Sequence, residues 1–353
     1  MDLPASHPLI DGRTADSALI AAYRGEVPHR RPVWFMRQAG RSLPEYRALR
    51  EGTDMLGSCL DPRMASEITL QPVRRHDVDA AIFFSDIVIP LKLAGVDVDI
   101  VPGVGPVLGA PIRSAADVEA LPLLTDEALE PIRQAVALTV AELGSTPLIG
   151  FAGAPFTLAA YMVEGRPSRD HLGPRTMMHA DPDTWRALTE WAADASGVFL
   201  RAQLEAGASA LQLFDSWAGS LGLADYQRHV APASARALDH VRGYGAPLVH
   251  FGTGTSELLV AMRDVGVDVV GVDYRLPLDE ANRRLGGTVP LQGNIDPALL
   301  PAPWPVLEQH VRDVLRAGSS APGHVVNLGH GVPPDTDPVV LTRVVELIHS
   351  VAP

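Results

Sequence analysis

The amino-acid sequence predicts a single (β/α)8 TIM-type barrel over residues 1–353. Three observations carry this expectation. Eight short runs are apolar at consecutive positions, without alternation, as strands buried on both faces of a parallel sheet require. Amphipathic helical patterns separate them. The last of those helices ends at the C-terminus, so strand and helix alternate to the end. A doubly wound open sheet is the alternative for the same alternation.

The elements follow in order. Residues 1–31 lack clear periodicity and form an N-terminal extension, in which "RGEVPHRRP" reads as a loop feeding the first strand. The eight runs are "PVWFMR" (32–37), "AAIFFSD" (80–86), "PLIGFAG" (147–153), "ALQLFD" (210–215), "PLVHFG" (247–252), "VVGVDY" (269–274), "PLQGNI" (290–295) and "HVVNLGHG" (324–331). "PLQGNI" is weakened by its internal glycine. After the second run, "GVDVDIVPGVGPVLGAP" (95–111) predicts an inserted β-hairpin, because "VDVDI" alternates and Pro106 interrupts what would otherwise look like a glycine-rich dinucleotide loop. Over 185–206, Leu188, Trp191, Ala192, Ala195, Phe199 and Ala202 form one helical stripe that Gly207 would stop. Leu307, Val311, Val314 and Leu315 repeat the pattern before Gly318. The last helix opens on Asp337 and Pro338, an N-cap followed by proline at the first helical position, and its stripe is Leu341, Val344, Val345 and Ile348. "GTGTSE" (252–257) reads as a plain βα turn before it reads as a phosphate cradle.

Composition narrows the function. A net charge of −13 argues against a nucleic-acid partner and requires any anionic ligand to be drawn by a local basic pocket. The single cysteine, Cys59, excludes an internal disulfide or a thiolate metal cluster and fits a cytoplasmic protein. No run reads as a signal peptide or a membrane span. Neither a Gly-x-Ser-x-Gly elbow nor a His-Glu-x-x-His pair occurs, so no nucleophilic triad, metal or cofactor is expected.

In such barrels the active site lies at the C-terminal ends of the strands. Arg37, Gln38 and Arg41 follow the first strand, Ser85 and Asp86 end the second, and the third leads towards Tyr161. Asp215 and Ser216 end the fourth, Asp273 the sixth, Asn294 the seventh and His330 the eighth. Two forked guanidinium groups beside a carboxylate, hydroxyls and a histidine suit bidentate recognition of a carboxylated ligand. The alternative readings are a cap of the next turn for Asp86, a helix N-cap for Ser216, the outer surface for Tyr161 and a loop bond to backbone for His330. Asp215 and Asp273 read as structural.

The same residues carry a resemblance. "PVWFMRQAGRSLPEYR" (32–47) and "GFAGAPFTLAAYMVEG" (150–165) resemble two signatures of the uroporphyrinogen decarboxylase family. "FSDI" (84–87), "LQLFDSWAG" (211–219), "QGNIDP" (292–297) and "LGHGV" (328–332) are similar to further blocks in the same order. The resemblance implies a substrate pocket lined by Arg37, Gln38, Ala39, Gly40, Arg41, Asp86, Tyr161, Ser216 and His330, with Asp86 stabilising the transition state. It implies a cytoplasmic homodimer that converts uroporphyrinogen III to coproporphyrinogen III in haem biosynthesis, without metal or cofactor. Rival readings are a zinc methyltransferase on the same barrel and a non-catalytic tetrapyrrole carrier. The methyltransferase would want a cysteine where Gly252 follows His250, and the carrier has no need of Asp86 among arginines.

Overall fold

The structure is a computed structural model and describes residues 2–352. Seven strands form one curled sheet in which every neighbouring pair is parallel. They are β1 (Ala81–Ile82), β4 (Leu148–Gly153), β5 (Ala210–Asp215), β6 (Leu248–Gly252), β7 (Val269–Gly271), β8 (Leu291–Gln292) and β9 (His324–Val325), in that spatial order. Between β1 and β4 lie β2 (Val98–Val101) and β3 (Gly105–Leu108), an antiparallel hairpin at the position the alternating pattern predicts.

The first predicted strand is shorter than expected, and its residues still close the ring. Val33 makes a parallel bridge to Val326, the Val326 N–H donates to the Pro32 carbonyl (2.9 Å), and the Asp79 N–H donates to the Val33 carbonyl (2.8 Å). A regular ladder does not form because side chains replace the backbone acceptors. Val33 N–H donates to Asp79 Oδ2 (2.8 Å), Phe35 N–H to Gln38 Oε1 (2.9 Å) and Met36 N–H to Asn327 Oδ1 (2.9 Å).

The extension also differs from its aperiodic reading. Residues Ala18–Tyr23 form a helix whose Leu19, Ile20 and Ala22 are fully buried. Six residues are too few to display a period, yet this helix carries Tyr23 into the barrel interior, where its hydroxyl donates to Gln292 Oε1 (2.5 Å). Gln292 Nε2 in turn donates to Gln212 Oε1 (3.0 Å), so the buried amides are paired.

Outside the sheet, the predicted helices form where their stripes place them. Pro182–Glu205 is capped by Asp181, whose Oδ1 accepts from Thr184 N–H (3.3 Å), and it buries Leu188, Ala192, Ala195, Phe199 and Ala202. Trp304–Gly318 buries Leu307, Val311, Val314 and Leu315. Pro338–His349 starts at Asp337, whose Oδ1 accepts from Val339 N–H (2.9 Å). "GTGTSE" is a plain turn: its helix begins only at Leu259 and spans six residues.

Candidate active site

Eight of the nine residues expected at the site line one cavity of about 940 Å³ at the C-terminal mouth: Arg37, Ala39, Gly40, Arg41, Asp86, Tyr161, Ser216 and His330. That volume is near the upper end of small-molecule pockets, about 300–1,000 Å³. The tip of the β2–β3 hairpin forms part of the wall, from Asp99 to Pro106. The ninth residue, Gln38, is fully buried behind the wall. It accepts from Phe35 N–H and donates to the Ala80 carbonyl (3.0 Å), tying the arginine turn to the strand that leads to Asp86.

The turn that Gln38 pins puts Arg37 in the left-handed region at φ 60°, which bulky residues rarely occupy. The arginine side chain then passes directly over Gly331. A Cβ at that position would lie 2.5 Å from Arg37 Cδ and 3.1 Å from Nε, so only glycine leaves the path open. Gly40 turns the chain again; its added Cβ would meet the Arg37 carbonyl at 3.1 Å. Among the described residues, neither Arg37 nor Arg41 has a hydrogen-bonded or ion-paired partner for its guanidinium. Most arginines of this chain do: Arg75, Arg236, Arg283 and Arg284, among others, are paired with carboxylates.

Asp86 faces the same space. Its Oδ1 accepts from Val88 N–H (3.1 Å), so it caps a turn as well as lining the cavity. Burial raises its pKa, opposed by the Val88 N–H and by the positive charge of Arg37. The Tyr161 hydroxyl is pushed up to about 12 by burial and by Asp86, against Arg37. Tyr161 lies face to face with Trp217 (centroids 3.8 Å apart, planes at 32°), and Trp217 is stacked in turn on His171 (4.3 Å). His330 Nδ1 accepts from Gly331 N–H (2.6 Å), which places the proton of the neutral ring on Nε2. Burial, Arg37 and Arg275 lower its pKa, so at neutral pH it is an uncharged donor.

Behind this layer stand the structural residues. Asp215 Oδ1 accepts from the Thr157 hydroxyl (2.8 Å), and the carboxyl is fully buried. Asp273 pairs with Arg275 and accepts from Gly254 N–H (2.5 Å). Asn294 Nδ2 donates to the carbonyls of Asp273 (2.8 Å) and Leu276 (2.6 Å). His250 is fully buried with its Nε2 3.6 Å from Asp215 Oδ2, and Cys59, the one thiol, is also buried, its pKa raised by burial and by Asp86. A thiolate-rich zinc set has no residues to form it.

Arg50 also lines the cavity, and the sequence reading missed it. It follows the helix Pro44–Leu49 and donates from Nη1 to the Tyr46 hydroxyl (2.8 Å), with its guanidinium 5.5 Å from that ring's centroid. No motif marks it, because it lies on the turn beyond the arginine signature.

These features define the class: an α/β-barrel enzyme whose mouth sets two guanidinium groups, unpartnered among the described residues, in one cavity with the partly buried acid Asp86. Residues 14–351 match the family model described as Uroporphyrinogen decarboxylase (URO-D). The chain is 85% identical over 344 residues to a uroporphyrinogen decarboxylase of Arthrobacter sp. (strain FB24), covering 98% of this chain and 100% of that one. It is 62% identical to a uroporphyrinogen decarboxylase of Leifsonia xyli subsp. xyli, covering 99% and 98%. The chain belongs to the uroporphyrinogen decarboxylase family. Its fold is shared by a solved methyltransferase from Methanosarcina mazei, with TM-score 0.80 and 18% identity, covering 96% of this chain and 98% of that one.

Proposed function

We propose a division of labour for the uroporphyrinogen decarboxylase reaction that family membership assigns to this chain: Arg37 and Arg41 hold the acid arms, and Asp86 serves the ring. The observation that carries this reading is the two guanidinium groups, unpartnered among the described residues, sharing one cavity with Asp86, whose carboxyl is partly desolvated and has its pKa raised by burial. Loss of CO2 from an acetate arm leaves an electron pair on carbon. Protonation of the attached pyrrole turns it into an iminium-like ring that accepts that pair, so the substrate is its own electron sink. The C–C bond breaks, CO2 departs, the methylene carbon takes a proton to become a methyl group, and the ring proton is returned. Four such rounds convert uroporphyrinogen III to coproporphyrinogen III.

A carboxylate near an octacarboxylate substrate repels it unless it faces a different part of it. Asp86 fits the centre of the macrocycle, where pyrrole N–H groups donate to it while the arms reach the arginines. Its attraction grows as the ring becomes cationic, so it acts on the transition state more than on the ground state. His330, whose Nε2–H has no partner among the described residues, and Tyr161, whose hydroxyl stays protonated, are neutral donors within this cavity, alongside the hydroxyls of Ser85 and Ser216. Gln38 acts by holding the arginine turn. The reading also carries a cytoplasmic homodimer. Sedimentation velocity tests the dimer. Among the described residues, no helix is long and apolar enough to cross a membrane.

The direct test is anaerobic incubation of the purified chain with uroporphyrinogen, following stepwise carboxyl loss by chromatography. Hepta- to tetracarboxylate products are expected; a chain that binds the tetrapyrrole and returns it unchanged would be a carrier.

A further inference from the structure

We propose that His179, Asp225 and His229 form a site for one divalent cation of the zinc class, outside the decarboxylation cavity. One ligand atom from each residue lies within 4.8 Å of the others. Asp225 and His229 stand four residues apart on the helix Leu223–His229, which puts both on one face. His179 comes from the last turn of the helix Leu172–Ala180. Its Nε2 is 3.3 Å from Asp225 Oδ2, and the rings of His179 and His229 are 5.6 Å apart at 76°, edge to face.

The spacing is that of a metal site. Ligands about 2.1 Å from a tetrahedral ion lie about 3.4 Å from one another. The His179–Asp225 pair, at 3.3 Å, already has that separation, and His229, within 4.8 Å of both, has to close by at most about 1.4 Å, a side-chain adjustment at a half-exposed position. Two imidazoles and one carboxylate favour zinc, nickel or copper over magnesium or calcium, which prefer oxygen shells. Three protein ligands leave a fourth position for water. Arg228, beside His229, and Arg175, one turn before His179, are the opposing charges on the two ligand helices, set against a net charge of −13 for the whole chain.

The frame behind the ligands is fixed. The His229 carbonyl accepts from Trp185 Nε1–H (3.0 Å), and Tyr226, between the two ligands of its helix, is fully buried. Each ligand helix follows a residue of the ring stack behind Tyr161. Leu172–Ala180 follows His171, Leu223–His229 follows Trp217, and these two rings stack behind Tyr161. A bound ion would therefore tie together, from outside, the two segments that back the Tyr161 wall. This is an accessory clamp and takes no part in the chemistry.

The test is isothermal titration of zinc into the chelator-stripped chain, with magnesium as control, on wild type, His179→Ala, His229→Ala and Asp225→Asn. Wild type should bind one zinc per chain and melt at a higher temperature with zinc than without, and magnesium should do neither. Each His→Ala variant should bind at least about tenfold more weakly and lose the zinc-dependent rise in melting temperature. Because these side chains are half-exposed or exposed, the metal-free variants should melt with wild type, which separates lost binding from lost folding. Unchanged one-to-one affinity in both histidine variants would place zinc on other histidines of the twelve and overturn the proposal, as would the absence of saturable binding to wild type.

Discussion

The two ends of this barrel treat polar groups in opposite ways. Where the chain enters the ring, Asp79 is nearly saturated: it accepts from Val33 N–H, from Arg30 Nε (2.6 Å) and from His349 Nε2 (2.8 Å). Tyr23, Gln292 and Gln212 likewise form an unbroken internal chain. At the mouth, Arg37 and Arg41 have no partner among the described residues, and Asp86 keeps a carboxylate at a partly desolvated position with one backbone donor. Satisfied polar groups hold the ring shut; unsatisfied ones leave capacity that a ligand can fill. Mutations at the two ends should therefore fail in different assays.

The largest effect is expected from removing both free guanidinium groups. Each charged hydrogen bond is worth roughly 1.5–3 kcal/mol, so Arg41→Ala alone should weaken substrate binding about one to two orders of magnitude, and the double variant with Arg37→Ala about two to four if the two act independently. Arg37→Lys should recover only part, since an ammonium lacks the fork. Equilibrium binding of the substrate checks this; wild-type affinity in well-folded variants would put the acid arms elsewhere.

At the closed end, Asp79→Ala should destabilise the fold by about 2–4 kcal/mol, because it strands the Val33 N–H, the Arg30 guanidinium and the His349 ring nitrogen. Thermal or urea melting reads the loss, and KM should hold. A matching loss of substrate affinity would mean the two ends are not separable.

The pH profile sharpens the contrast further. Asp86 must be ionised to stabilise a cationic ring, and burial raises its pKa. Activity should therefore be full above that raised value and fall as pH drops through it, on an acid limb above the ordinary carboxylate range. For stability the sign is reversed. A raised folded-state pKa means that Asp86 favours the fold when protonated, and this contribution fades as pH rises through the folded value. An acid limb at or below the ordinary carboxylate value would contradict this assignment. The smallest effect is expected from exhaustive chelation, which should leave the rate unchanged, since the cavity offers no cluster of metal ligands among the described residues. Metal-dependent recovery of a dead stripped enzyme would reopen the methyltransferase reading.

Much of this contrast was legible in the sequence, at the level of backbone more than side chain. Unalternating apolar runs placed the parallel strands, and alternating "VDVDI" with Pro106 placed the hairpin, because local pattern and burial agree there. The first strand was over-read because its ladder is replaced by side chains of Asp79, Gln38 and Asn327, two of them remote in sequence. Gln38 shows the limit within a motif. Its neighbours face the cavity, yet a tight turn sends its amide back to Phe35 and Ala80. The stack of Tyr161, Trp217 and His171 joins separate βα loops, and no spacing within one loop announces it.

The central claim is that Asp86 acts on the reacting ring and the arginines on the resting substrate. Measuring both substrate affinity and kcat for Asp86→Asn tests it most directly. The variant keeps the shape and loses the charge, so kcat should fall on the order of a hundredfold or more. Substrate affinity should hold or improve as a like charge leaves the pocket, and the melting temperature should not drop. Asp86→Glu should recover part of the rate. An Asn variant that turns over at close to the wild-type rate would leave Asp86 as the cap of the Val88 turn alone and contradict the mechanism.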